Sequence, residues 1–114
     1  MEWGKLTAIN LNSCNNKIRN KKEIKKFIQK LCVLINMEKV GPTKVKKFGE
    51  GELKGYSAFQ FIKTSSITCH FDEMQNRAFI DIFSCKDFNA KKATNFAKKF
   101  FGAEETQLKI LIRE

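Results

Sequence analysis

The sequence predicts an α+β fold: a two-layer α/β sandwich, with a mostly antiparallel sheet and two helices on one face. Three observations predict it. Two stretches repeat apolar residues at helical spacing, several others alternate them, and three of the alternating stretches follow one another without an intervening helix. The chain of 114 residues makes one domain, long enough for a single core and too short for two. Hydrophobic residues form 42% of it, with eleven Phe, as suits a folded chain and not a disordered tail.

The elements follow in order. "GKLTAINLN" (4–12) alternates as a strand, with Leu6, Ala8 and Asn10 on one face. "SCNN" turns the chain. Asn20 and Glu23, three residues apart, form a capping box that opens a helix over about 20–37. Ile24, Phe27, Ile28, Leu31 and Ile35 make its apolar stripe, and Lys21, Lys22, Lys25, Lys26 and Lys30 fall largely off it. "VGPT" is expected to stop that helix. "KVKKF" reads as a short strand, and "GEGELKG" (49–55) as a glycine-rich loop or hairpin connection. "YSAFQFI", "SITCHF" and "RAFIDIFS" are three consecutive strands, the last two joined by a turn at "DEMQN". Asn89 caps a second helix over about 90–101, striped by Ala93, Phe96, Ala97 and Phe100 and ended by Gly102. "QLKILIR" closes the chain as a strand. The order is β-α-β-β-β-β-α-β. Helices cover one sheet face only, and the Phe-rich strands leave the other apolar, which points to a homodimer through the sheet face.

Composition excludes several function classes. No run of about 18 apolar residues occurs, so no membrane span is expected. "MEWGKLTAIN" lacks the regions of a signal peptide, so the expected location is cytoplasmic. Cys14, Cys32, Cys69 and Cys85 show no CxxC spacing, and a lone His70 completes no usual zinc set. They are expected to be free thiols, with no metal. The net charge of +10 comes from lysines spread along the chain, without the interleaved aromatics of a stacking platform. A solvated basic face is the expectation, and a nucleic-acid site is disfavoured.

The rarest reactive side chains gather in "KTSSITCHFDE" (63–73) and "IDIFSCKDF" (80–88). Alternation sends Ser66, Thr68 and His70 to one face of their strand, and Ser65, Ile67, Cys69 and Phe71 to the other. The serine pair stands at the strand's entrance, where a tight connection is able to hold a strained peptide bond. Taken one at a time, His70 reads as a half-buried strand histidine, Cys85 as a core thiol and Ser57 as a ladder residue.

Taken together they carry a resemblance. His70 follows Ser65 by five residues, Cys85 in "DIFSC" follows it by twenty, and Ser57 in "GYS" precedes it by eight. At these offsets the chain resembles the prokaryotic (class 1B) S-adenosylmethionine decarboxylase proenzymes, as a divergent member. The opening "WGK…NLNSCN" and the closing helix and strand match in place as well. The resemblance implies the decarboxylase-like fold, and scission between Thr64 and Ser65 into segments 1–64 and 65–114. Ser65 Oγ would attack the Thr64 carbonyl, assisted by Ser57 and His70, and the new end at Ser65 would become a pyruvoyl group. That group would form a Schiff base with an amino-acid substrate and accept electrons as CO2 leaves, with no metal and no pyridoxal phosphate. Cys85 would be the general acid, since a thiol's ordinary pKa lies within reach of neutral pH.

The sequence departs from the family pattern mainly around the nucleoside. Thr64 and Ser66 stand where Glu and His usually flank the serine, and Ser66 is a rival nucleophile. Met74 stands where a ribose-binding Glu is usual, with Glu73 one place off and Asn10 in place of another acid. Phe48 lies near the usual adenine platform. Two further readings follow from these departures. One is a pyruvoyl-dependent ornithine or arginine decarboxylase, its distal cation held by Glu50, Glu52, Asp72 or Glu73. The other is a non-processing paralogue that binds or regulates a related enzyme.

Overall fold

The computed structural model describes residues 2–114. One antiparallel sheet of six strands carries two helices on a single face, in the predicted order of elements. The strands are β1 (Gly4–Asn12), β2 (Lys39–Phe48), β3 (Gly55–Ile62), β4 (Ser65–Asp72), β5 (Arg77–Ser84) and β6 (Glu105–Arg113). Across the sheet they run β2-β3-β4-β5-β1-β6, so β4 sits near the centre and β2 and β6 are the edges.

The first helix, α1 (Lys21–Leu34), starts where Asn20 accepts the Glu23 N–H at 3.1 Å. It is shorter than the spacing predicted. The chain leaves the helix at Asn36, whose φ of +58° is the left-handed turn that asparagine tolerates, and Met37 N–H donates to Cys32 C=O. "VGPT" therefore does not stop the helix. Val40–Thr43 belong to β2, where the ladder slips between Val40 and Lys44. Gln60, fully buried on β3, repairs that bulge: its amide donates to Val40 C=O and Gly41 C=O, and its carbonyl meets the Thr43 hydroxyl. An edge strand tolerates Pro42 at such a bulge. Two short 3-10 turns, Asn16–Arg19 and Gly51–Leu53, were not read from the sequence.

The second helix, α2 (Ala90–Phe100), is capped by Asn89 as predicted. Between helices and sheet, Phe27 packs against Phe96, Phe100 and Phe101 with centroids 5.6, 5.4 and 4.7 Å away. Burying such a ring is worth about 1.5–3 kcal/mol over leaving it in water. Ile67, Cys69, Phe71, Ala78, Ile80 and Ile82 close this core from the sheet side.

Among the described residues no helix covers the opposite sheet face. Phe61, Phe48 and Trp3 are each more than half exposed. Strand register draws two lines across this face. Near the start of β4 the line is Phe61, Ser66, Phe83, Leu6 and Leu111; near its end it is Lys46, Ser57, His70, Phe79, Asn10 and Gln107. The first is mostly apolar. The second is mostly polar.

Candidate active site

The site residues lie at the two ends of β4. At its entrance a two-residue connection, Lys63–Thr64, joins β3 to β4, and Ile62 pairs with Ser65 across it. Ser65 has φ of +150°, a backbone angle that a residue with a side chain rarely adopts. The tight turn expected from the serine pair is present, and the unusual backbone falls on the serine of the predicted scission.

The end of β5 lies against it. Ser65 pairs with Ser84, and Cys85 N–H donates to Thr64 C=O at 3.0 Å. The carbonyl that a Ser65 hydroxyl would attack is thus already polarised by a backbone donor. Thr64 and Ser84 share a hydroxyl hydrogen bond of 2.8 Å beneath the Met37 sulfur, and Ser84 Oγ also accepts the Lys86 N–H at 3.0 Å. Thr64 is therefore tied into the structure by its side chain as well as by its carbonyl.

Cys85 is the exposed thiol of the four, and all four are free. Burial pushes the Cys14 thiol up to about 11, and Cys32 and Cys69 are also raised, chiefly by burial. Those three are core fillers. Cys85 instead lines a cavity of about 170 Å³ with Trp3, Lys5 and Lys86, and Trp3 stacks on Phe83 at 5.7 Å. Sequence reasoning missed Trp3. Its only signal was a lone tryptophan just ahead of a strand, and register alone brings it beside Cys85.

The other end of β4 holds the Ser57–His70 pair. Ser57 on β3 and His70 on β4 are directly opposite one another, with Oγ and Nδ1 2.9 Å apart. The pair faces the uncovered side of the sheet, in a cavity of about 330 Å³ walled by Phe48, Tyr56, Phe71 and Phe79. Phe48 stands about half exposed at this cavity. Glu73 turns away to an ion pair with Lys47 at 3.1 Å, although the contact falls short of hydrogen-bond alignment. Asn10 lies two strands from His70 on the same line and is hydrogen-bonded to Gln107 at 3.2 Å.

The two ends do not meet within one chain. Five residues of extended strand separate Ser65 from His70, and a rise of 3.2–3.4 Å per residue makes that about 16 Å. Ser65, Thr64 and Cys85 come together, and so do Ser57 and His70. Cys85 and His70 line separate cavities. Among the described residues no three His, Cys, Asp or Glu side chains gather as a metal site.

Comparison with known proteins bears on this geometry. A family model described as S-adenosylmethionine decarboxylase matches residues 5–114. A crystal structure of the adenosylmethionine decarboxylase from Aquifex aeolicus VF5 superposes with a TM-score of 0.83 at 16% identity, covering 98% of this chain and 91% of that one. At that identity the likeness shows the fold. No curated protein matches the sequence.

Proposed function

The chain belongs to the S-adenosylmethionine decarboxylase family, and from that premise we propose a self-processing, pyruvoyl-dependent decarboxylase of polyamine biosynthesis. The observation that carries this reading is the strained Ser65 next to a carbonyl held by the Cys85 N–H. Such strain costs on the order of 1–3 kcal/mol, and scission of the Thr64–Ser65 bond releases it.

The chain's own residues supply the self-cleavage chemistry as follows. Ser65 Oγ adds to the Thr64 carbonyl carbon and its proton passes to a base. The Cys85 N–H stabilises the oxyanion, the Ser65 nitrogen leaves, and an ester replaces the amide. Loss of the Ser65 Cα proton then expels the Thr64 carboxylate and leaves a dehydroalanine at position 65, whose imine tautomer adds water and releases ammonia to give the new pyruvoyl end. The pyruvoyl group made there supplies a carbonyl that accepts the electron pair of decarboxylation. Cys85, at the same end of β4, is placed to return a proton to the product carbon.

The base is His70, oriented by Ser57, and it belongs to a second copy. A two-fold axis lying between two sheets and crossing β4 near Thr68 lays the His70 end of one chain over the Ser65 end of the other. Face-to-face sheets stack about 10 Å apart, and Ser65, in register with the buried Ile62 and Ser84, is reached at the open entrance of β4 rather than through the sheet. The apolar line through Phe61, Phe83 and Leu6 then gains the cover it lacks. Each chain carries half of two sites.

Family membership makes S-adenosylmethionine the first substrate to test. One observation favours a second substrate, ornithine or arginine. Met74 has no carboxylate and Glu73 is committed to Lys47, so neither offers ribose hydroxyls a free carboxylate. Of the acids in the His70 cavity, Asp72 is bound to Arg77 at 2.7 Å, while Glu52 has no ion pair among the described residues and suits a distal cation.

Intact-mass measurement of the purified protein tests the core of the reading. Two species corresponding to 1–64 and 65–114, the second blocked to amine reagents, are expected. Cleavage one bond later would make Ser66 the nucleophile. A full-length mass that persists on incubation would sink self-processing in favour of a binding paralogue. Decarboxylation of S-adenosylmethionine, ornithine and arginine in parallel then separates the substrates.

A further inference from the structure

The turn from Cys85 to Phe88 connects β5 to α2 and carries both the thiol and the N–H that holds the Thr64 carbonyl. One side chain from outside grips it at two points. Lys5 on β1 donates to Asp87 Oδ1 at 3.0 Å and to Phe88 C=O at 2.7 Å, and its ammonium lies 4.4 Å from the centre of the Phe88 ring. The Lys5 side chain is only 13% exposed. A cation so covered needs partners, and both hydrogen-bond partners here are in this one turn.

The approach is prepared one residue earlier. A Cβ on Gly4 would stand 3.0 Å from Ser84 O and 3.3 Å from Cys85 Cα, so glycine lets β1 run close beside the turn. Lys86 ties the turn from the other side by donating to Asn36 C=O at 2.7 Å, through a contact that is solvent-exposed.

We infer that Lys5 is a positioning residue: it pins the Cys85–Phe88 turn, and through that turn keeps the Cys85 N–H aimed at the Thr64 carbonyl. The inference rests on the reading of Thr64–Ser65 as the bond that breaks. Lys5→Met keeps the stem and removes the ammonium. Lys5→Arg keeps the charge and the donors.

Amide hydrogen exchange on the full-length chain, held uncleaved by Ser65→Ala, gives the direct readout. Lys5→Met is expected to speed exchange at Cys85 about tenfold or more while leaving Ile80 and Ile82 of β5 unchanged, and Lys5→Arg to restore protection. In the otherwise native chain, Lys5→Met should slow scission about tenfold, less than the 10²–10³ typical when an oxyanion donor is removed outright. Unchanged exchange at Cys85, or an equal rise along all of β5, overturns the inference. Should the native chain never cleave, the decarboxylase reading fails, and the Cys85 exchange still decides the role of Lys5.

Discussion

The two ends of β4 are built by opposite means. At the entrance, backbone does most of the work: a two-residue connection, a φ of +150° at Ser65 and a Cys85 N–H on the Thr64 carbonyl. Seven residues on, the strand ends at Asp72, and near it the Ser57 hydroxyl meets the exposed His70 imidazole on an open surface. On the proposed reading the first end is the bond that breaks and the second supplies its base, which the described residues of one chain leave apart. The difference teaches that the two halves of that proposal can be tested separately.

The largest expected effect breaks this comparison directly. His70→Ala should slow scission 10²–10⁴-fold, the usual worth of a positioned base. Ser65→Ala should abolish it. Co-expressed, these two variants form mixed dimers in which one site has Ser65 from one copy and His70 from the other. Cleaved chain should reappear, carrying the His70→Ala substitution, as seen by mass spectrometry. If no mixture restores cleavage, the base does not come from a second copy.

A smaller effect lies at the His70 end. Gly55 begins β3 with its Cα against the Phe71 backbone, and a Cβ there would fall 1.8 Å from Phe71 O. Gly55→Ala must push β3 and β4 apart beside Ser57 and His70. A loss of about 2 kcal/mol or more is expected, read as a thermal midpoint roughly 5–10 °C lower. An unchanged midpoint would show that this end has slack.

The smallest effect sharpens the entrance. Neither Ser65→Ala nor Ser65→Gly can cleave, yet only glycine adopts the Ser65 backbone angle without cost. The glycine variant should be the more stable by about 1 kcal/mol in urea unfolding, despite glycine's greater chain entropy. Were alanine the more stable, the strain assigned to Ser65 would be absent.

The sequence by itself determined the order of helices and strands and the family resemblance. Apolar spacing placed both helices and the strands, Asn20 and Asn89 marked the helix starts, and three offsets around Ser65 carried the resemblance. These are local properties, governed by periodicity and by a capping residue's own hydrogen bond. Tertiary structure decided what lay between them. It moved "VGPT" into an edge strand, because Gln60 from β3 replaces the ladder bonds the bulge loses. It brought Trp3 and Lys5 to Cys85, nearly the whole chain away, through pairing of β1 with β5. That Ser65 and His70 stand apart already followed from five positions of extended strand, whereas the Cys85 N–H on the Thr64 carbonyl came only from the pairing of β4 with β5.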